Sequence, residues 1–288
     1  MRRAQLPWHA VGAETRQTLK HIMNSPIRWP AEAIWESIAP DLPGFTVEVL
    51  PQIDSTNTEL MRRARAGQMD PVLLVAEQQT AGRGRLGRDW HSGASAHQTS
   101  SGALTFSIGM PLSPRDWSGL SLAVGVSVVQ SLHPDLQLKW PNDVWLHERK
   151  LAGILIETAS LGDTRYAVIG IGINIKARDA TGLATPPAWL SEVLPGIDAA
   201  QALLRIAAPL VHTIQAFEAH GFAPFQARFN QRDALGGLTV TLSDGLSGVA
   251  QGVDGSGALR VQTAQGLKKI TSSEVSVRPL SPPSYDFL

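Results

Sequence analysis

The 288-residue chain contains no cysteine, which removes disulfides, thiolate nucleophiles and cysteine-ligated zinc together. A cytoplasmic setting is the default that follows, and any covalent chemistry has to use other groups. Net charge is also lacking. Twenty-five basic residues balance 25 acidic ones, so there is no global positive field of the kind that drives nonspecific nucleic-acid binding. No apolar run approaches the ~18 residues of a membrane span. Residues 1–21, with Arg2, Arg3, Arg16 and Lys20, hold no apolar segment of secretory type. They read either as a disordered leader or as residues upstream of a true start at Met23. What remains is ordinary for a globule: 43% hydrophobic residues, in a length that accommodates one large domain and one small one.

Against that background one segment stands out. Gly82-Arg83-Gly84-Arg85-Leu86-Gly87-Arg88 alternates three glycines with three arginines, and Trp90 follows. Glycine lets a backbone approach a ligand closely, while arginine brings a permanent charge and a fork of donors, a mixture suited to a phosphate-bearing ligand. A flexible basic tail that binds RNA has the same composition. The flanks decide between them. Residues 72–76 read as a buried strand just before the loop, and residues 102–109 alternate as a strand beyond a small, polar stretch at 94–101. The loop is framed by core.

Further elements follow from pattern. A short helix is expected at 31–38 and a strand at 46–50, followed by Asp54-Ser55-Thr56-Asn57 ahead of a helix at 58–66. Those four residues suit a helix cap, and equally a polar pocket for a carbonyl, ureido or carboxylate oxygen. A long buried helix is expected at 120–132. After it, Lys139-Trp140-Pro141-Asn142-Asp143 lies at a hairpin tip between strands. Lys150-Leu151-Ala152-Gly153-Ile154-Leu155-Ile156-Glu157 puts a cation at a strand start, and Gly170-Ile171-Gly172-Ile173-Asn174 is an apolar strand twice interrupted by glycine, by a bulge or for close approach. A helix at 201–218 precedes short strands at 238–242, 247–253, 258–262 and 266–270, separated by Asp244-Gly245 and Asp254-Gly255, which read as hairpins of a small barrel.

These five motifs, in this order from Asp54 to Asn174, resemble the biotin–protein ligase family, and the likeness extends over about residues 44–279. The resemblance implies an α+β fold: a mixed β-sheet flanked by helices, of the class II aminoacyl-tRNA synthetase/biotin ligase type, with a C-terminal SH3-like barrel. The expected divisions are an N-terminal extension at 1–43, a catalytic domain at 44–232, the SH3-like domain at 233–282 and a tail at 283–288. The implied activity is that of a biotin–[biotin carboxyl-carrier protein] ligase. It makes biotinyl-5′-AMP and pyrophosphate from biotin and ATP, with Mg²⁺ as activator, then passes biotin to one lysine of the biotin carboxyl carrier protein of acetyl-CoA carboxylase.

The residues fit that chemistry by similarity. Joining two anions requires fixed cations to offset their repulsion. Lys150, Arg85 and Arg83 are the implied catalytic groups, with Lys150 expected as a desolvated ammonium. Ser55, Thr56, Asn57, Gln79, Gly84 and Gly153, together with Arg83, Arg85 and Lys150, are implied to hold biotin. Arg88, Trp90, Lys139, Asn142, Asp143, Asn174 and Trp189 are implied on the ATP and adenylate side. Asp143 orients either Mg²⁺ or the incoming lysine, metal ligands are not otherwise identified, and Trp189 either covers the adenine or is a core residue. Residues 81–98 are expected to be mobile until biotin binds.

Leu86 and Asp89 stand where relatives are often basic. Bifunctional relatives carry an N-terminal winged helix-turn-helix, whereas the residues before Phe45 hold no two-helix recognition pattern. A monofunctional ligase is therefore expected, with no DNA or membrane partner and with homodimerisation left open. Three other functions remain to be separated from it: a lipoate–protein ligase, a repressor, and a noncatalytic biotin-binding module.

Overall fold

The computed structural model describes residues 27–90, 102–177, 186–243 and 245–271, and the backbone of 277–279. The expected leader, the whole 94–101 stretch, the second half of the 81–98 loop, Asp244 and the tail lie outside the described residues. Helix α1 (Ala31–Ile38) forms where expected and turns Ile34 and Ile38 into the core. Strand β1 (Thr46–Ile53), helix α2 (Thr56–Arg65), strand β2 (Val72–Gln79) and strand β3 (Ala103–Pro111) follow. Helix α3 (Leu120–Leu132) is buried along almost all its positions, in keeping with a composition of Leu, Val and Ala. Next come β4 (Gln137–Lys139), β5 (Asp143–Leu146), β6 (Arg149–Leu161) and β7 (Thr164–Asn174). Helix α4 (Ala199–His220), capped by Asp198 through Gln201 N at 2.7 Å, and the short α5 (Gln226–Asn230) close this region.

Strands β1 to β7 make one mixed sheet in the order β1-β2-β3-β7-β6-β5-β4, in which only β1 and β2 run parallel. The pleat assigns its two faces. Leu104, Phe106 and Ile108 of β3, with Ile169, Ile171 and Ile173 of β7, join the large core built with α1, α3 and α4. On the other face α2 covers only part of the sheet, through Leu60, Met61 and Ala64 against Leu74, Tyr166 and Val168. The remainder of that face carries the site.

Strands β8 (Thr239–Leu242), β9 (Ser247–Val253), β10 (Leu259–Thr263), β11 (Gly266–Ile270) and β12 (Val277–Pro279) form a second, wholly antiparallel sheet in the order β11-β10-β9-β8-β12. The expected small barrel is therefore present, with one strand more than the pattern indicated. It shares the large core through Val240, Leu242, Val253 and Val261, and Trp140, fully buried, donates its Nε1–H to Gly257 O at 3.1 Å across the junction. The connection runs beside β4, where Leu138 N–H reaches Arg232 O at 2.7 Å and Ala234 N–H reaches Leu138 O at 2.9 Å. Among the described residues no helix is long and apolar enough to cross a membrane.

Candidate functional site

Strand register builds the floor of a cavity of about 150 Å³. One ladder row crosses four strands as Thr105, Gly172, Gly153 and Asp143, and the next runs Ser107, Gly170, Leu155. Residues opposite one another in a ladder share a face, so the two glycines of β7 and Gly153 line up on the side away from the core. They are in regular register rather than in a bulge. Close approach explains them: a Cβ on Gly170 would overlap Asn57 Oδ1, and one on Gly172 would overlap the Trp90 indole, with Cζ2 at 2.5 Å and Nε1 at 2.7 Å. Intervening isoleucines face the core, so one strand serves both layers.

The wall opposite comes from the start of α2. Ser55 caps that helix, accepting from Thr58 N–H at 3.4 Å, and with Thr56 and Asn57 it also lines the cavity. All three are buried. Thr56 N–H donates to Gln79 Oε1 at 2.8 Å, and Asn57 Nδ2 donates to Glu157 Oε2 at 3.0 Å and to Leu155 O at 3.3 Å.

The glycine–arginine loop makes the third side. Its first half is a small closed turn in which Gly84 N–H bonds Arg88 O at 2.7 Å, Trp90 N–H bonds Gly82 O at 2.8 Å and Arg83 bridges to Asp89. Two anchors hold it on the sheet: the Arg83 guanidinium against both oxygens of Glu157 at 2.9 and 3.0 Å, and the Trp90 ring over Gly172. Residues 81–90 are described in this turn, whereas residues 91–98 of the expected mobile loop lie outside the described residues.

Cations dominate the rim. Arg83, Arg85, Arg88 and Lys150 all border the cavity, facing Asp143 and Asp89. Burial pushes the Arg85 guanidinium below its usual range; Asp143 opposes that and Arg88 adds to it. Lys150 Nζ lies 2.7 Å from Asp143 Oδ1, off the axis of a hydrogen bond, so that oxygen is matched in charge without an aligned donor. The Lys150 side chain is 44% exposed, not desolvated as expected. Asn142 is turned back on the floor, giving Nδ2–H to Ile154 O at 2.8 Å.

Of the residues singled out from sequence, Ser55, Thr56, Asn57, Gln79, Arg83, Gly84, Arg85, Arg88, Trp90, Asn142, Asp143, Lys150 and Gly153 meet at this one cavity. Three do not line it. Lys139 sits 5.0 Å above the Trp145 ring. Asn174 and the segment carrying Trp189 adjoin the start of β6 instead: Lys150 O accepts from Ala188 N–H at 2.9 Å and faces Asn174 Nδ2 at 3.5 Å. An Arg149–Glu192 ion pair fastens that segment, while Trp189 N–H bonds Glu192 Oε1 at 2.8 Å. Trp189 is half-buried, so it is not a core residue. Among the described residues, the buried atoms Trp90 Nε1 and Asn174 Oδ1 have no hydrogen-bond partner, which leaves each as capacity toward a ligand.

Sequence reasoning gave no role to Glu157, Ser107 or Thr105. The signal for the latter two is the alternation of β3, where polar side chains fall on the face opposite Leu104, Phe106 and Ile108. Among the described residues no group of three acidic or histidine side chains is placed to hold a metal ion.

A half-covered mixed sheet with a cation-rimmed, glycine-floored cavity, followed by a small antiparallel barrel, defines a catalytic domain for an anionic small molecule with a β-barrel appended. Family models agree on both parts: residues 49–174 match the biotin/lipoate A/B protein ligase family and residues 238–278 the biotin protein ligase C-terminal domain. The chain is 35% identical over 255 residues to the bifunctional ligase/repressor BirA of Escherichia coli, covering 84% of this chain and 77% of that one. It is 31% identical over 247 residues to the biotin–[acetyl-CoA-carboxylase] ligase of Paracoccus denitrificans, covering 79% of this chain and 98% of that one. The biotin protein ligase of Aquifex aeolicus, solved in complex with biotin and ATP, superposes with a TM-score of 0.67 at 28% identity, over 81% of this chain and 99% of the other. The chain belongs to the biotin protein ligase family.

Proposed function

We propose that this protein is an ATP-dependent biotin–[biotin carboxyl-carrier protein] ligase, with the cavity between α2, the glycine floor and the Gly82–Trp90 turn as its active site. The observation that carries the reading is the meeting of four cations with a buried polar wall at one cavity. In the first step a biotin carboxylate oxygen attacks the α-phosphorus of ATP, a P–O bond forms, and the bond to the β-phosphate breaks to release pyrophosphate. Lys150 and Arg85 offset the repulsion between the two anions and meet the charge that grows on the phosphoryl oxygens. Arg88 takes the outer phosphates. In the second step an acceptor lysine, having lost its proton, attacks the acyl carbon and AMP leaves.

Ser55, Thr56, Asn57 and Gln79 form the end that takes the ureido head. The polar wall offers hydrogen-bonding partners to a ureido head and none that a dithiolane can use, so it supports biotin over lipoate. Gly153 and Gly172, with the Trp90 ring, form the slot for the valeryl chain. Asn142, Asn174 and Trp189 serve the nucleotide, whereas Lys139 lies over the Trp145 ring and takes no part in this reading. Mg²⁺ would accompany the ATP phosphates and offset their charge; Asp143 and Asp89 are the carboxylates lining the cavity that could hold it, and Asp143 shares its charge with Lys150. The chain is read as a catalytic domain at 44–232 and a barrel at 233–282 that helps dock the acceptor carrier domain.

Exchange of pyrophosphate into ATP is the test. Exchange that requires biotin and is unmoved by lipoate is expected. Exchange driven by lipoate, or biotin binding with no exchange, overturns the reading in favour of a lipoate ligase or a binding module.

A further inference from the structure

We propose that Glu157 is a positioning residue for the ligand's ring head, fixing the direction of the hydrogen bonds in the wall and holding the Gly82–Trp90 turn through Arg83. The proposal rests on the ligase reading of the cavity for the identity of the ligand.

Proton counting carries it. An ionised carboxylate only accepts, so the Asn57 amide must turn Nδ2 toward Glu157, 3.0 Å away. Asn57 Oδ1 then faces Ser107 Oγ at 2.7 Å, and Ser107 must spend its single proton there. The second 2.7 Å contact of Ser107 Oγ, with Thr56 Oγ1, therefore needs the Thr56 proton. Thr56 Oγ1 also lies 3.1 Å from Gln79 Oε1, but a 2.7 Å oxygen pair without a proton is the more repulsive, so the shorter contact takes it. Gln79 Oε1 keeps the Thr56 backbone N–H at 2.8 Å and its Nε2 turns toward Gly82.

The Glu157 carboxylate, with the longer 3.3 Å contact to Leu155 O pointing the same way, thus orders the chain Thr56 to Ser107 to Asn57. It leaves Asn57 Oδ1 an acceptor directed at the glycine floor, where Gly170 makes room for it. That polarity suits a head group that presents N–H donors, as a cyclic urea does. The same carboxylate grips Arg83 with both oxygens, although Glu157 itself does not line the cavity.

Glu157→Gln is the informative change because it nearly preserves shape while supplying an amide that can donate. The chain then keeps only the longer Leu155 O contact to set its direction, so Asn57 holds its acceptor toward the ligand less firmly, and the ion pair with Arg83 is lost. By calorimetry the variant is expected to bind biotin at least about tenfold more weakly, the scale of one charge-assisted hydrogen bond. Amide exchange at Gly84 and Trp90 in the ligand-free protein should quicken. Ser107→Ala cuts the chain and leaves the Arg83 anchor, so it should weaken biotin without quickening exchange. In Ser107→Ala, which leaves the turn anchored, KM for ATP should stay within about twofold, the margin of a change that does not reach the nucleotide. Parental biotin affinity in Glu157→Gln, or unchanged exchange, overturns the proposal. Failure of the parent protein to bind biotin overturns the ligase reading instead, and amide exchange then still decides whether Glu157 holds the turn.

Discussion

Adding one methyl group at Gly172 should damage ligand binding while sparing the fold. The Cβ of Gly172→Ala would overlap the Trp90 ring, with Cζ2 at 2.5 Å and Nε1 at 2.7 Å, whereas carbon contacts settle near ~3.5–4.0 Å. The indole has to retreat by about 1 Å or more. The ring is only partly buried, so its retreat from the floor costs less than about 1 kcal/mol. The neighbouring side chains of β7, Ile171 and Ile173, face the opposite layer and are untouched. Global stability should therefore fall by less than about 1 kcal/mol, a melting shift of roughly 2–4 °C at most. Biotin affinity should fall about tenfold, since 1.4 kcal/mol is a factor of ten. Calorimetric titration with biotin and thermal unfolding measure the two quantities. A double-mutant cycle isolates the cause: in a Trp90→Ala background the added methyl should make no further difference. A Gly172→Ala effect that persists without the indole refutes the reasoning, and so does a melting temperature that falls in step with affinity.

Lys150→Gln should lower the rate of biotin-dependent pyrophosphate exchange by about 10²–10³-fold, as for loss of one preorganised charge at a reacting centre; a loss below tenfold would remove Lys150 from the chemistry. Arg85→Gly should loosen the adenylate and let it escape, read as biotin on lysines of unrelated proteins; labelling confined to the natural acceptor contradicts the role. Burial pushes the Asp233 carboxyl up to about 6, opposed by the Leu235 N–H. The folded state then holds this proton more tightly than the unfolded one, so the associated stability is full below the unfolded value near 4 and lost as pH rises through about 6, up to ~3 kcal/mol. Asp233→Asn should accordingly resist urea better than the parent at pH 8 and match it at pH 4; equal gains at both pH values would show that the carboxyl is not the cause.

Local pattern carried most of the elements. The helices at Ala31–Ile38 and Leu120–Leu132 coincide with their apolar spacing, and the α2 boundary shifted because Ser55, not a later residue, takes the cap. The β6–β7 hairpin runs well past Glu157, since Thr158 to Leu161 pair with Thr164 to Ala167 although their mixed polarity gives little strand signal. Nonlocal choices were not legible. No residue of β1 or β2 announces that they run parallel, and nothing in the Lys139 segment shows that its ammonium turns to Trp145 rather than to the cavity. Site membership was readable where motifs carry it, as at Ser55, Arg85 and Lys150. Glu157 was hidden because its partners, Asn57 and Arg83, lie 100 and 74 positions away in sequence.

The alternation of glycine and isoleucine along β7 means that one stretch of sequence holds two independent messages interleaved residue by residue. Drift at the isoleucines is constrained by core packing and drift at the glycines by the Asn57 amide and Trp90 indole pressed against them at the cavity, and a slip of a single position would exchange the two faces, filling the cavity and hollowing the core together. Selection for one message therefore also guards the other. Engineered acceptance of a bulkier or differently shaped acid would have to come from the turn and the α2 wall, the two sides that can change without rewriting the strand.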